Sequence, residues 1–154
     1  MKVKKILMII PYFVPAYSYW WPINVAYSYA SCLIKRGYNV TVITTDTMDK
    51  NNRIKKLEEV SDWIKIIRFK NFSNHLAKKY NIYLPIWFVK RIKNNIWNYD
   101  IVHMHDFFSY MNIVTSIYCK KYNIPYVVQP HWSANFSPKR WKSIIAYNFF
   151  KKIK

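Results

Sequence analysis

The sequence is almost without glycine: Gly37 is the only one among 154 residues. Cysteine is nearly as scarce. Cys32 and Cys119 each sit inside an apolar helical pattern, and no Cys-x-x-Cys or Cys/His cluster occurs. This excludes a disulfide scaffold and a structural metal site, and two free thiols fit a reducing cytoplasm. Long apolar runs are missing too. No stretch reaches the roughly 18 apolar residues that a membrane-spanning helix needs. The start of the chain lacks the long apolar core and small-residue cleavage site of a secretory signal, because Pro11, Tyr12 and further aromatics follow a short run. Acidic side chains are the last scarcity. Asp and Glu total 7 against 25 Lys and Arg, a formal charge of +18. Such a surface favours anionic partners: nucleic acid, anionic lipid head groups or phosphorylated substrates. Part of the excess has a blander origin, since lysine, isoleucine, asparagine, tyrosine and phenylalanine are the residues that AT-rich coding would supply.

What is present is a core. The hydrophobic fraction is 52%, which excludes global disorder, and the length is that of one domain. Strand-like and helix-like segments alternate, the pattern of a parallel sheet covered on both faces. Residues 4–10 (KKILMII) form a nearly continuous apolar run, as a buried central strand requires. Residues 23–36 place Val25, Ala26, Tyr29, Ala30, Leu33 and Ile34 at helical spacing. Gly37 follows as the left-handed residue that ends the helix. Residues 40–44 (VTVIT) read as the second strand, 46–62 as a polar excursion, and 63–69 (WIKIIRF) as the third strand. The stretch 70–84 is ambiguous. Residues 85–97 read as a basic helix, 100–105 (DIVHMH) as a strand and 107–122 as a helix. Residues 124–129 (IPYVVQ) read as a strand, and 138–152 as a final basic, aromatic helix.

In open α/β sheets ligands bind outside the carboxyl ends of the strands. Three such ends carry chemistry: Pro11 to Tyr17, His103 to Asp106, and Gln129 to Ser133. His103 and His105 are read as pointing to opposite faces of their strand, so that one lines the crevice and the other packs under a helix. Asp106 is either a ligand or the cap of the next helix, and Asn24 likewise caps a helix or touches a ligand. His75 has no partner motif and reads as a solvated surface residue.

These segments resemble the N-terminal, acceptor-side domain of family-4 GT-B glycosyltransferases. An apolar strand leads into a Pro-aromatic-x-Pro loop and then a helix beginning near WPINVAYSYA. KRGYNVTVITTD is similar to the family's R-G-H-x-V-x-V-x-T turn. NYDIVHMHD is similar to its D-(I/V)-(I/V)-H-x-H-D strand end, and NIPYVVQPHWS to its P-(Y/V)-V-x-x-x-H-G strand end. The resemblance runs from about residue 4 to the end of the chain. It implies a Rossmann-like open parallel sheet with helices on both faces, one half of a GT-B fold. Residues 1–154 would be a single domain, with the C-terminal donor-binding domain, which carries an E-x(7)-E-type motif in the family, not among them.

The implied activity is transfer of a sugar from a nucleotide-sugar to a saccharide or lipid-linked acceptor, with no metal and no cofactor. His131 is implied as the residue at the transfer centre. Tyr12, Pro15, Ala16, Tyr17, Asn24, His105, Asp106 and Ser133 are implied to line the acceptor and donor cleft. The sequence departs from the family in one respect. Relatives carry consecutive glycines in the first loop, where bare backbone approaches the donor phosphate. Here the loop is Ala16-Tyr17-Ser18-Tyr19-Trp20-Trp21, and Trp132 follows His131 where relatives have glycine. Low activity of the isolated chain is therefore expected, the chain being either one that works with a separately encoded donor-domain protein or a degenerate remnant whose donor domain is missing.

The basic segments also carry interfacial aromatics: Lys139, Arg140 and Lys142 with Trp141, and Lys90, Arg91 and Lys93 with Trp87 and Phe88. That pairing suits a peripheral position on an anionic inner membrane face. The alternative reading is a non-catalytic basic module for a membrane surface or for nucleic acid. No helix-turn-helix, zinc-finger or RNA-recognition signature supports the nucleic-acid version.

Overall fold

The structure is a computed structural model that describes residues 4–19, 21–106 and 109–131. The helix expected over 138–152, and Ser133, lie outside the described residues. Six strands form one sheet: β1 (Lys5–Ile9), β2 (Asn39–Thr45), β3 (Glu58–Ser61), β4 (Ile64–Phe69), β5 (Ile101–His105) and β6 (Tyr126–Gln129). Their spatial order is β3-β4-β2-β1-β5-β6. Every neighbouring pair is parallel except β3 with β4. Among the described residues four α-helices accompany them: α1 (Trp21–Lys35), α2 (Asn74–Tyr80), α3 (Phe88–Asn95) and α4 (Tyr110–Lys121). This is the Rossmann-like α/β architecture of half a GT-B fold.

The alternation of side chains along the strands divides the core into two layers. Ile6, Met8, Val40, Val42, Ile64 and Ile66 face α1, whose Ala26 and Ala30 present small side chains to the sheet. Leu7, Ile9, Ile43, Ile67, Val102 and Met104 face α3 and α4, where Phe88, Ile92, Ile96, Met111 and Cys119 close over them. Because both faces are covered, β1 needs apolar residues at every position, which explains its continuous run. The chain leaves β1 for β2 on one side, while β5 pairs with β1 on the other. The crevice at the carboxyl ends of β1 and β5 is thus the topological switch point of the sheet.

Gly37 ends α1 as read from the sequence. Its φ is 82°, its N–H donates to the Ile34 carbonyl at 2.8 Å, and Tyr38 N–H donates to Leu33 at 3.1 Å. That pair of bonds is the Schellman arrangement.

Other boundaries differ from the sequence reading for physical reasons. α1 starts at Trp21, which puts the exposed Asn24 inside the helix rather than at its cap. The excursion 46–62 contains β3, an edge strand polar enough to lack an apolar signature. The ambiguous stretch 70–84 contains α2. Ser73 caps its start by accepting from Leu76 N–H at 3.3 Å, and Asn81 ends it in the left-handed region at φ 56°. α3 begins at Phe88 because Pro85 and Ile86 are occupied in pairing with residues 70 and 71. α4 begins at Tyr110, where the Ser109 hydroxyl accepts from Asn112 N–H. Ser109, not Asp106, is therefore the cap of α4. Asp106 sits at φ 74° just past β5.

Candidate functional site

The loop after β1 is held at three points. The Pro11 carbonyl accepts from the Thr45 hydroxyl at 2.6 Å and from Thr45 N–H at 3.2 Å. The Val14 carbonyl accepts from Arg68 Nη2 at 2.7 Å. Ala16 is buried against Tyr12, Ile23, Ala77 and Tyr83. Arg68 is a buried cation on the inward face of β4, ion-paired to Glu59 at 2.6 Å, with Nη1 donating to the Lys56 carbonyl at 3.0 Å. The loop that follows β2 is also a built structure. The buried Asp46 accepts from Arg53 at 2.8 and 2.9 Å and from Asn71 N–H at 2.8 Å.

Within the first loop three backbone donors are already used. Ala16 N–H donates to Phe13, Tyr17 N–H to Pro15 and Tyr19 N–H to Ala16, at 2.9, 2.7 and 3.1 Å. Tyr17–Tyr19 is a short 3-10 turn, and its last ring stacks on Tyr12 with centroids 4.5 Å apart. Tyr83 closes the group from the other side, 5.5 Å from Tyr12. Lys78 of α2 lies over the Tyr19 ring at 4.8 Å and donates to the Ser18 carbonyl at 3.4 Å. Burial pushes the Tyr12 hydroxyl well above the usual tyrosine range, and the carboxylate of Asp106 adds to the effect. Asp106, at the end of β5, is thus near enough to Tyr12 to act on it electrostatically.

At the ends of β5 and β6 three imidazoles gather. His103 and His105 lie on the same face of β5, with ring centroids 4.2 Å apart. The expectation of opposite faces is overturned because residues two apart in an extended strand repeat the same side. His103 Nε2 meets Gln129 Oε1 at 3.0 Å. His105 is fully buried, and its Nδ1 lies 3.3 Å from His131 Nε2. Its own Nε2 is buried and has no hydrogen-bond partner among the described residues. Tyr29 of α1 sets its ring edge against His103 at 5.6 Å. Asn112, in the first turn of α4, donates to the carbonyls of His105 and Asp106 at 3.0 and 2.7 Å, which fixes the end of β5.

The electrostatics follow from this packing. Burial lowers the His105 pKa to about 3, with the neighbouring His103 and His131 pushing the same way. Burial also lowers His103, against the hydrogen bond it makes to the Gln129 side-chain oxygen. It lowers His131, against the attraction of Asp106. All three rings are neutral near pH 7, so in the contact between His105 and His131 one ring donates and the other accepts. Among the described residues no group of three or more His, Cys, Asp or Glu side chains is arranged to hold a metal ion.

Of the residues read from the sequence, the fold gathers Tyr12, His105, Asp106 and His131 at the carboxyl ends of β1, β5 and β6, with Tyr12, His105 and Asp106 buried and His131 partly exposed. Ala16 packs inside the tyrosine group instead of lining open space. Pro15 and Tyr17 are exposed on the outside of the loop, and Asn24 is exposed on α1, with Trp21 and Tyr29 beside a surface groove. His75 is exposed. Sequence reasoning missed Tyr19, Tyr83, Lys78, Asn112 and Arg68. For Arg68 a signal existed, because Ile64, Ile66 and Arg68 share one face of a strand.

The family model of Glycosyltransferase Family 4 matches residues 24–153. The chain belongs to glycosyltransferase family 4. No curated protein and no solved structure matches it. In this family-4 domain of the N-terminal type, the two histidine-bearing strand ends, on β5 and β6, lie side by side next to the switch point. No described helix is long and apolar enough to cross a membrane.

Proposed function

We propose that this family-4 domain forms the acceptor-side wall of a sugar transfer from a nucleotide-sugar to a saccharide or lipid-linked acceptor, with His131 at the transfer centre. The observation that carries the reading is the meeting of His131, His105, Asp106 and Tyr12 at the carboxyl ends of three adjacent strands. A neutral His131 imidazole can hydrogen-bond a sugar hydroxyl without drawing a counter-ion into the crevice. His105 holds that ring through the contact between Nδ1 and Nε2, and Asn112 holds His105 through its carbonyl. Donor phosphates need positive potential that the first loop does not offer, since three of its amides donate internally. Their stabilisation falls to a donor-binding half, wherever it is encoded. The partners in this reading are a nucleotide-sugar, the acceptor and that donor half, with no metal and no cofactor taking part.

The test is a transfer assay with a panel of labelled nucleotide-sugars and a lipid extract, with and without a candidate donor-domain protein. Transfer should appear with the partner and fall at least 100-fold in His131→Ala. Full activity of His131→Ala would remove this residue from the chemistry. No transfer by a folded sample under either condition would favour a second reading, a non-catalytic binding module, which the occupied loop amides also support.

A further inference from the structure

A groove of about 380 Å3 lies away from the crevice, between α3 and the end of β4, lined by Phe69, Trp87, Lys90, Arg91, Asn94 and Asn95. It is separated from the histidines by β2 and β1, three strand spacings or roughly 14 Å. Its lining holds two cations, two carboxamides and an indole, and no carboxylate; α3 itself contains no acidic residue. Trp87, Lys90, Arg91 and Asn94 follow at helical spacing, so one side of α3 presents an aromatic ring, then positive charge, then amide donors. The Lys90 ammonium is poised 5.8 Å over the Trp87 ring rather than paired with an acid.

The backbone adds a second observation. Trp87 adopts the left-handed region, φ 65°, at the start of α3 with no side-chain cap. A bulky aromatic is strained there. The strained residue exposes its indole at 73% beside the groove instead of burying it in the core.

We infer that this groove is an anion site for a phosphate monoester or diester. Arg91 supplies the planar fork suited to phosphate oxygens, Lys90 a second point charge, and Asn94 further neutral donors. Trp87 flanks the bound group with an amphipathic ring. The phosphate comes either from a lipid head group at a bilayer surface or from a small soluble phosphate ester, and the chemistry of the groove is shared by both. The inference does not depend on sugar transfer, so its failure would leave the proposed function untouched.

The test compares the unaltered chain with Lys90→Glu/Arg91→Glu. Lys50→Glu/Lys55→Glu serves as a control that changes the net charge equally at two exposed positions in a distant loop. Probes are glycerol 3-phosphate, followed by tryptophan fluorescence, and vesicles of phosphatidylcholine with or without phosphatidylglycerol, followed by sedimentation. Binding should weaken at least 10-fold in Lys90→Glu/Arg91→Glu and less than twofold in the control. Binding of the soluble ester identifies a small phosphate ligand, whereas binding only of the anionic vesicles identifies a lipid head group; either supports the site. Equal loss in both variants would show diffuse charge attraction and overturn it, as would failure of both probes to bind. The milder Lys90→Gln/Arg91→Gln, checked by circular dichroism, keeps the test valid if charge reversal perturbs α3.

Discussion

His105 makes stability depend on pH in a direction that can be worked out. The side chain is fully buried, and its folded-state pKa is lowered to about 3, against about 6.5 in an unfolded chain. A base whose pKa is depressed by folding binds fewer protons in the native state than in the unfolded one. Its contribution is complete above the unfolded pKa and is lost as pH falls toward the folded pKa. At pH 7.5 the unfolded ring is mostly neutral and no penalty exists. At pH 5 the unfolded ring is protonated while the folded ring is not, and the difference amounts to about 2 kcal/mol. That corresponds to about 1 M in the midpoint of urea unfolding.

His103 and His131 are lowered as well and add to the slope. The measurement is therefore a difference. Urea unfolding of the parent and of His105→Gln is followed by tryptophan fluorescence at pH 7.5, 6.5, 5.5 and 5.0. The parent should lose about 2 kcal/mol more than the variant across that range. Identical pH slopes would refute the reasoning, because they would mean that His105 is solvated or protonated in the fold.

Two further predictions rest on buried polar chemistry. Arg68→Met keeps the volume but removes the donors to the Val14 and Lys56 carbonyls and the ion pair with Glu59. It should cost about 3 kcal/mol, lowering the thermal midpoint by about 6–12 °C, whereas Glu59→Gln should cost about 1 kcal/mol because Glu59 is partly solvated; a loss below 1 kcal/mol for Arg68→Met would contradict the clamp. Cys32 is exposed, while Cys119 is buried with its thiol pushed up to about 12 by burial. A thiol reagent at pH 8 should therefore modify one equivalent in the native protein and two in denaturant, and two native equivalents would show that α4 does not seal the sheet.

Legibility in the sequence followed burial. β1, β2, α1 and its glycine terminus could be read because two-sided burial and a left-handed turn leave few choices of residue. β3 and α2 could not, since an exposed edge strand and a seven-residue helix bury too little to impose a period. α2 owes its ends to Ser73 and Asn81, which are visible only once a helix is suspected. At the site, the strand ends bearing His105, Asp106 and His131 were legible as motifs. The supporting residues were not: Tyr83 and Lys78 meet the first loop from segments distant in sequence, and Asn112, though only a few residues past His105 and Asp106, belongs to no motif. The face shared by His103 and His105 was legible from spacing, and the opposite-face reading misapplied the two-residue period.

The absence of glycine has a structural consequence beyond added bulk. A glycine loop binds phosphate by leaving several N–H groups unpaired and accessible. Here the loop folds onto itself, and Tyr19 lies between Tyr12 and Lys78. Opening the turn to free its amides would break that stacking and uncover Ala16, which is fully buried. The loop is therefore stabilised as a wall rather than poised as a cradle. In the proposed transfer, the neutral imidazoles and tyrosines at these strand ends are the groups that recognise hydroxyls. Under that proposal, the charges that stabilise a leaving phosphate have to come from a donor-binding half and not from this loop.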